Sequence, residues 1–556
     1  MGPAFGFPQG SQGDRGLRQG TGTPATFPPG RDHTRYRLLT ARHVRRSTCG
    51  GRPVLRVADE ALEAIAREAF TELAFHLRPA FLARLRALVD DPSASENDRF
   101  VAGALLRNAA IAAEGVLPLC QDTGSAQIFG YKGHLVMTAG RDAAALERAV
   151  RSVYRGRNLR YSIMAPLTVF EEANTATNLP GQIDIQAGAG LEYWFAFMAK
   201  GGGSSNKTAL FQESKALLEE TALAAFLTDK VRALGVAACP PYRIAVVVGG
   251  LSPEMTLKTV KLASAGFLDG LPKRGGRDGR AFRDAAWEAR LMGIARATGL
   301  GAQFGGTALA HETRFIRLPR HAGSCPVGIG VSCNADRNML GKITPEGVFL
   351  EVLEKDPARF LRGVPEDPGR PAVRLDLDRP IEEIASDLAA LPAGTMLSLS
   401  GPLIVARDIA HARLWKTLRS TGDVPDYFRK HPVYYAGPAK TPAGRVSGSF
   451  GPTTAQRMDG YLDGFMTAGA SLITLGKGNR SPAAVEACRR HGGYFLGTIG
   501  GAAALIADKH IVRSEVVDFA DLGMEAVRRI VVKDLPAFLV CGAKGGDLYS
   551  GGGTSA

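Results

Sequence analysis

The sequence predicts a mixed α/β and α+β protein of more than one domain, and three observations carry that expectation. At 556 residues the chain is too long for one small hydrophobic core. Apolar residues recur at helical spacing over 56–117, in ALEAIAREAFTELAFHL and FLARLRALV, which predicts paired helices. Beyond about residue 373, short strand-like runs alternate with helical ones, the pattern of an α/β or α+β unit rather than of a second helical bundle.

Taken in order, residues 1–34 are rich in Gly, Pro and Gln and are expected to form a disordered leader. A first domain follows over 35–355. Within it, NKTALFQESKALLEETALAAFLTDKVRAL again shows helical spacing over 205–235. RIAVVVGG reads as a buried strand ending in glycine. A helix is predicted near Glu254–Ala265, with Ser252 as its cap and Pro253 in its first turn. The charged, proline-rich KDPARFLRGVPEDPGRPAV predicts an interdomain linker over 356–373. A second domain, 374–549, opens with the strand candidates TMLSLSG and PLIVARD. Its helix AAVEACRRH precedes the strand YFLGTIG, and AAALIADKH, EVVDFADL and RRIVVKDLPAFLVCG add further mixed structure. Residues 550–556 are expected to be a flexible tail.

Composition narrows the function classes. Hydrophobic residues at 45% and charged residues at 22% are ordinary for a globular chain. Seven cysteines at this length do not suggest a secreted disulfide scaffold and fit a reducing compartment, here expected to be the cytoplasm. No apolar stretch is long enough to span a bilayer, and MGPAFGFPQGSQGDRG lacks the basic-then-apolar order of a signal peptide. The net charge of +14 raises the question of nucleic acid, but residues 1–50 hold eight Arg against two Asp, close to half of the excess. The rest is dispersed without a nucleic-acid motif, which favours a small anionic substrate.

Three cysteines without close spacing, Cys120, Cys239 and Cys333, each sit among Pro, Gly and polar residues. Three thiolates from distant loops can hold three irons of a cubane and leave the fourth open to substrate, whereas four would close the cluster for electron transfer. Taken singly, each cysteine also reads as a buried soft side chain. Beside Cys120, Asp122 can transfer a proton and Gln121 can hydrogen-bond a carboxylate; turn capping is the ordinary alternative for Asp122. The run Lys200-Gly-Gly-Gly-Ser-Ser-Asn206 lacks Walker spacing, yet its backbone N–H groups, Gly203 among them, can approach an anion. Gly249-Gly250 lacks the full GxGxxG pattern.

Arg314, Arg317, Arg320 and His321 crowd HETRFIRLPRHAGSCPVG. The arginines read either as a solvated face or as a substrate group, and His321 as a proton carrier or a structural histidine. Cys325 looks structural in its AGSCPVGIG setting. In the second half, Arg407, Arg457 and Lys477 can clamp a dicarboxylate. Thr453 and Thr454 precede a predicted helix carrying Arg457, where capping is the ordinary role and proton abstraction would require unusual activation.

These passages together resemble the class I, iron–sulfur-dependent fumarate hydratases over roughly Tyr36–Tyr549. The resemblance rests on CQDTGS, LRYSIMAPLTVFEEANTATNLPGQIDI, KGGGSSNKTALFQESKALL and ACPPYRIAVVVGGLSPEMTLKTVKLASAG. It continues through GLGAQFGG, RLPRHAGSCPVGIGVSCNADRN, HPVYYAGPAKTP, GSFGPTTAQRMDGY and LGKGNRS. TATNLPGQIDIQAGAG and RHAGSCPVG depart from the commoner family wording, and 1–34 has no place in the family core.

The resemblance implies a [4Fe–4S] cluster on Cys120, Cys239 and Cys333. It implies Gln121, Asp122, Arg160, Gly203, Arg407, Thr453, Arg457 and Lys477 around fumarate or malate, with His321 also in the active site. It further implies a homodimer of two-domain chains, each pairing a large cluster-bearing domain with a smaller swivelling β/β/α domain. The reaction implied is hydration of fumarate to (S)-malate, a step of the tricarboxylic acid cycle. Thr453 stands as candidate base, Asp122 as acid, and His321 as an aid to proton flow. Such a cluster implies iron–sulfur assembly machinery as a partner, and neither nucleic acid nor a membrane is expected. Mesaconate or tartrate hydro-lyase, a non-catalytic iron–sulfur sensor and a zinc protein are the alternatives, distinguished by a substrate panel and by iron and sulfide analysis.

Overall fold

The computed structural model describes residues 34–365 and 372–549; the expected leader (but for Thr34), residues 366–371 of the expected linker and the expected tail lie outside the described residues. The N-terminal helical region contains three helices, Asp59–Phe75, Pro79–Asp90 and Glu96–Ala112, rather than one pair. Pro79 restarts the chain at a first-turn position, and Ser95 caps the third helix by accepting from the Asp98 N–H at 3.0 Å.

Two sheets accompany these helices. The first has six strands, in the order Tyr36–Thr40, Gly347–Glu351, Asn338–Thr344, Tyr193–Lys200, Ser125–Gly133, Gln182–Gly188. The second has five, in the order Ala209–Glu213, Cys325–Ser332, Tyr242–Gly250, Ala310–Arg320, Phe282–Arg283. Tyr242–Gly250 lies at its centre and is buried at every position, as an uninterrupted apolar run requires. The helix after it, Pro253–Ser264, is capped by Ser252, whose hydroxyl accepts from the Met255 N–H at 3.1 Å.

One predicted helix is corrected. Ala209–Glu213, inside the stretch expected to be helical, is an edge strand paired antiparallel with Cys325–Ser332. A short 3-10 turn, Lys215–Leu218, separates it from the true helix Glu220–Leu234. Five residues of ALFQE do not complete enough turns to distinguish the two periods, and the open edge of the second sheet decided the outcome.

The third sheet closes on itself. Met396–Val405, Val433–Tyr434, Ile473–Gly476 and Tyr494–Thr498 run parallel, and Val527–Cys541 pairs antiparallel with both the first and the last of them. The result is a five-stranded ring with Val373–Asp376 and Ile511–Asp518 attached outside. TMLSLSG and PLIVARD are therefore one strand, with a register irregularity at Gly401, whose φ of 123° favours glycine. Because four strands are parallel, their carboxyl ends share one end of the ring, and that end carries Arg407, Lys477 and Gly500.

The halves of the molecule share one apolar core. It runs from Leu105 and Leu106 of the third helix through Phe304 to Leu397, Leu399 and Phe538 of the ring. Phe304 stacks on Phe538 at 4.0 Å between centroids. Buried Asn108 adds a polar bond across the same junction: its Nδ2 donates to Leu119 O at 3.0 Å, and its Oδ1 accepts from Ala504 N at 2.8 Å and Leu505 N at 3.1 Å. Asn108→Ala is expected to destabilise the protein by about 2–4 kcal/mol, because it leaves three buried backbone groups unpaired. A lower urea midpoint reads this out; an unchanged midpoint would show that water replaces the amide.

Candidate active site

The thiols meet because strand ends meet. Cys239 lies just before the central strand Tyr242–Gly250, and Cys333 just after its neighbour Cys325–Ser332, where Arg243 pairs with Ser332. Cys120 comes from the other side of the N-terminal region, shortly before Ser125–Gly133. Its approach is fixed by Leu119, whose N–H donates to Ala74 O at 2.9 Å. Cys120 and Cys239 are buried and Cys333 half-buried. Cys239 is in the left-handed region at φ 64°, and its carbonyl accepts from the Asn334 N–H at 3.0 Å, which joins two of the three cysteine loops.

Burial favours the protonated form of the two buried thiols, and cations oppose it. Burial pushes the Cys239 thiol up to about 11 against the pull of Lys477, and burial also raises Cys120. The Lys477 ammonium, from the C-terminal ring, donates to Cys239 Sγ at 2.8 Å. Burial works against the charge of Lys477, but Cys239, Cys120 and Cys333 together raise its pKa. Among the described residues no group of three or more His, Cys, Asp or Glu side chains is arranged to hold a single metal ion. A set of three soft thiols lined with cations suits an iron–sulfur cluster, whose ligands sit on separate metals.

Gln303 and Asn334 hold the domain junction beside the thiols. Each side-chain amide donates to both Pro240 O and Gly500 O, at 3.0–3.1 Å. The Gly500 N–H returns a bond to Gln303 Oε1 at 2.7 Å. Gly500 leaves room for Cys239 itself, since a Cβ there would stand 2.4 Å from Cys239 Sγ. Neither amide was singled out from the sequence; GLGAQFGG and SCNADRN carried them, without a chemical signal to separate them from turn residues.

Gln121 and Asp122 face the same junction. Gln121 Nε2 donates to Pro452 O at 3.0 Å, just before Thr453. Asp122 accepts from Gly202 N at 2.9 Å and Gly124 N at 3.1 Å, and Arg160 Nη2 lies 3.4 Å away. Burial would raise its pKa, but Arg160, Arg337 and the Gly202 N–H outweigh that and hold it at about 2. Asp122 is therefore ionised at neutral pH. Gly203 lies in the short helix Gly202–Ser205, where a Cβ would stand 3.5 Å from Lys477 Nζ.

From the ring come Arg407, Thr453, Arg457 and Lys477. Thr453 and Lys477 are tied by the backbone, with Lys477 N donating to Thr453 O at 3.1 Å. Arg457 donates to Thr453 Oγ1 and pairs with Asp408 at 3.1 Å, so the Thr453 side chain does not cap a helix. Buried Arg407 contacts Glu525 at 2.7 Å, and burial together with Arg160 and Arg457 lowers its pKa against Glu525 and Asp408. Arg407 thus feels the charges of Arg160 and Arg457.

Other expectations are not brought here. His321 is exposed in the turn between Ala310–Arg320 and Cys325–Ser332, at the end of the sheet where Gly250 pairs with Arg320. Cys239 and Cys333 are at the Arg243 end, about 23 Å away at 3.3 Å per strand residue. Arg314 is bound to Asp269 at 2.6 Å, Arg317 donates to Val248 O at 2.8 Å, and Arg320 donates to three carbonyls of its own turn. Their roles are structural. Cys325 is fully buried in its strand, in keeping with its structural reading.

Comparison with known proteins agrees with this arrangement. The family described as "Fumarate hydratase (Fumerase)" matches residues 63–342, and "Fumarase C-terminus" matches 347–552. The chain is 52% identical over 529 residues to "Fumarate hydratase class I, aerobic" of Escherichia coli (strain K12), covering 94% of this chain and 96% of that protein. It is 52% identical to the anaerobic class I enzyme of the same strain, over 94% and 96% of the two chains. "Fumarate hydratase 2" of Leishmania major is 51% identical, over 90% of this chain and 88% of its own length. With two-domain coverage and identity of this extent, the chain belongs to the class I fumarate hydratase family.

Proposed function

We propose that the chain catalyses the reversible hydration of fumarate to (S)-malate, with Cys120, Cys239 and Cys333 each binding one iron of a [4Fe–4S] cluster. The observation that carries the reading is the convergence of three thiols and Lys477 on a junction that also holds the Asp122–Arg160 pair and the arginines of the ring. Family membership supports the choice of substrate. When bound, the cluster supplies an open iron, a Lewis acid for the malate hydroxyl.

The remaining steps belong to side chains. Arg160, Arg407 and Arg457, with Gln121, Lys477 and the backbone at Gly203, bind the two carboxylates and stabilise the charge that develops beside them. In dehydration, Thr453 Oγ1, which accepts from the Arg457 guanidinium, is the group placed to take a proton from the carbon next to a carboxylate once it has given up its own proton to solvent. Asp122, after taking up a proton from solvent, passes it to the departing hydroxyl, which leaves as water. Hydration reverses both transfers, and the ionised Asp122 of this structure is ready for that direction. Assembly machinery would supply the cluster, and a cytoplasmic location fits cysteines that remain free.

His321 can join this reaction only if a second copy of the chain delivers it, so its role and the proposed homodimer stand together. Co-expression of His321→Ala and Arg457→Met chains tests both. Mixed dimers would contain one site with neither change, and about half the wild-type activity per dimer is expected. No recovery would remove His321 from the shared site.

Anaerobic reconstitution tests the cluster. Wild-type protein is expected to hold about four irons and four sulfides and to convert fumarate to malate. Replacing Cys120, Cys239 and Cys333 together by Ser should abolish cluster retention; an unchanged cluster would refute the ligand assignment. Arg457→Met should keep the cluster and lower kcat/KM about a hundredfold to a thousandfold. Turnover at the wild-type rate would exclude Arg457 from the clamp.

A further inference from the structure

Arg337 is a buried cation whose charge helps to hold Asp122 ionised and which has no place in the proposed clamp or among the cluster ligands. It is 5% exposed, and its Nε has no hydrogen-bond partner. Its position is not that of a loose side chain, because its carbonyl accepts from the Ala199 N–H at 3.0 Å and pins it beside the strand Tyr193–Lys200. Arg337 Nη2 lies 3.4 Å from the point where a Cβ on Gly201 would stand, and Asp122 Oδ2 lies 3.1 Å from that same point. The anionic groups nearest in effect are Cys120, Cys333 and Asp122.

Neighbouring buried cations differ in having partners. Lys200 Nζ donates to Val331 O at 2.9 Å and Ser264 Oγ at 3.4 Å. Arg407 has Glu525 at 2.7 Å, and Arg480 has Asp459 at 2.7 Å. Asp122 offers Arg337 only a shared charge, since its oxygens already accept from Gly124 and Gly202 and pair with Arg160. A guanidinium buried without a direct anion is costly, and the cost is removed when an anion arrives. The groups able to become that anion are Cys120, two residues before Asp122, and Cys333, four residues before Arg337, whose charges would act on the guanidinium.

We propose that Arg337 is a positioning residue for the cluster, its guanidinium hydrogen-bonding and charge-balancing the Cys120 and Cys333 thiolates when they bind iron. The inference rests on the cluster reading given above. A planar fork can serve two acceptors from different loops, which a lysine ammonium does less well. Hydrogen bonds and charge at ligand sulfurs also set the reduction potential of such a cluster.

Wild type, Arg337→Met and Arg337→Lys, each reconstituted anaerobically, provide the test, with iron and sulfide content, EPR-monitored midpoint potential and KM for fumarate measured together. Arg337→Met is expected to weaken iron retention about tenfold or more and to shift the midpoint to more negative values, because a cation beside the added electron is lost. Arg337→Lys should hold the midpoint near wild type while retaining less iron. Unchanged potential and iron with a raised KM would overturn the proposal and assign the guanidinium to the dicarboxylate. If the Met variant does not fold, the Lys variant decides alone: wild-type retention of iron would overturn the two-thiolate contact. A wild-type protein that takes up no cluster would instead sink the cluster reading, and this inference with it.

Discussion

The contact between Lys477 Nζ and Cys239 Sγ, 2.8 Å long, is the interaction around which the site is built. It joins an ammonium from the carboxyl end of a ring strand to a thiol at the start of the central strand of another domain. An ammonium in such surroundings is expensive unless an anion faces it, so Lys477 favours a thiolate at Cys239 over the thiol that burial favours. The same junction is secured by neutral bonds from Gln303 and Asn334 to Pro240 and Gly500. Those amides set the geometry, and the charge pair then decides what the enclosed space prefers to hold.

This explains why the three cysteines are so far apart in the chain. A cluster held from one compact motif would sit on one side of a cleft and leave the substrate residues to arrive by domain movement alone. Here Cys239 and Cys333 enter from adjacent strand ends and Cys120 from a segment braced by Asn108. Asn108 also binds the helix Ala503–Lys509 of the ring. The bond that fixes a cysteine loop therefore also fixes the domain that supplies Arg407, Thr453, Arg457 and Lys477. A shared apolar core from Leu105 to Phe538 makes the arrangement a property of the whole molecule.

Legibility in the sequence followed locality. Ser252, Pro253 and the following helix were readable because capping depends on residues within one turn. RIAVVVGG was readable because a strand buried on both faces is apolar throughout. Ala209–Glu213 was not, since an edge strand depends on a partner more than a hundred residues later. In the site, the cysteines and the arginines of the ring stood out by residue type, which is a chemical signal. His321 stood out equally well, and the fold placed it at the far end of the sheet. Arg337 and Gln303 did not stand out, because what distinguishes them is burial and the presence or lack of a partner, neither of which one position in a sequence reveals.

The charges also suggest a division of labour between the domains. The N-terminal side holds Asp122 ionised with Arg160, and burial there favours the protonated form of Cys120 and Cys239. The ring contributes cations whose own anionic partners are few: Glu525 for Arg407 and Asp408 for Arg457. On the proposed function, a dianionic substrate between them would gain from both sides and relieve the repulsion that Arg160 and Arg457 exert on Arg407. The same relief is lost when product leaves, so one set of charges can serve capture and release without a separate moving part.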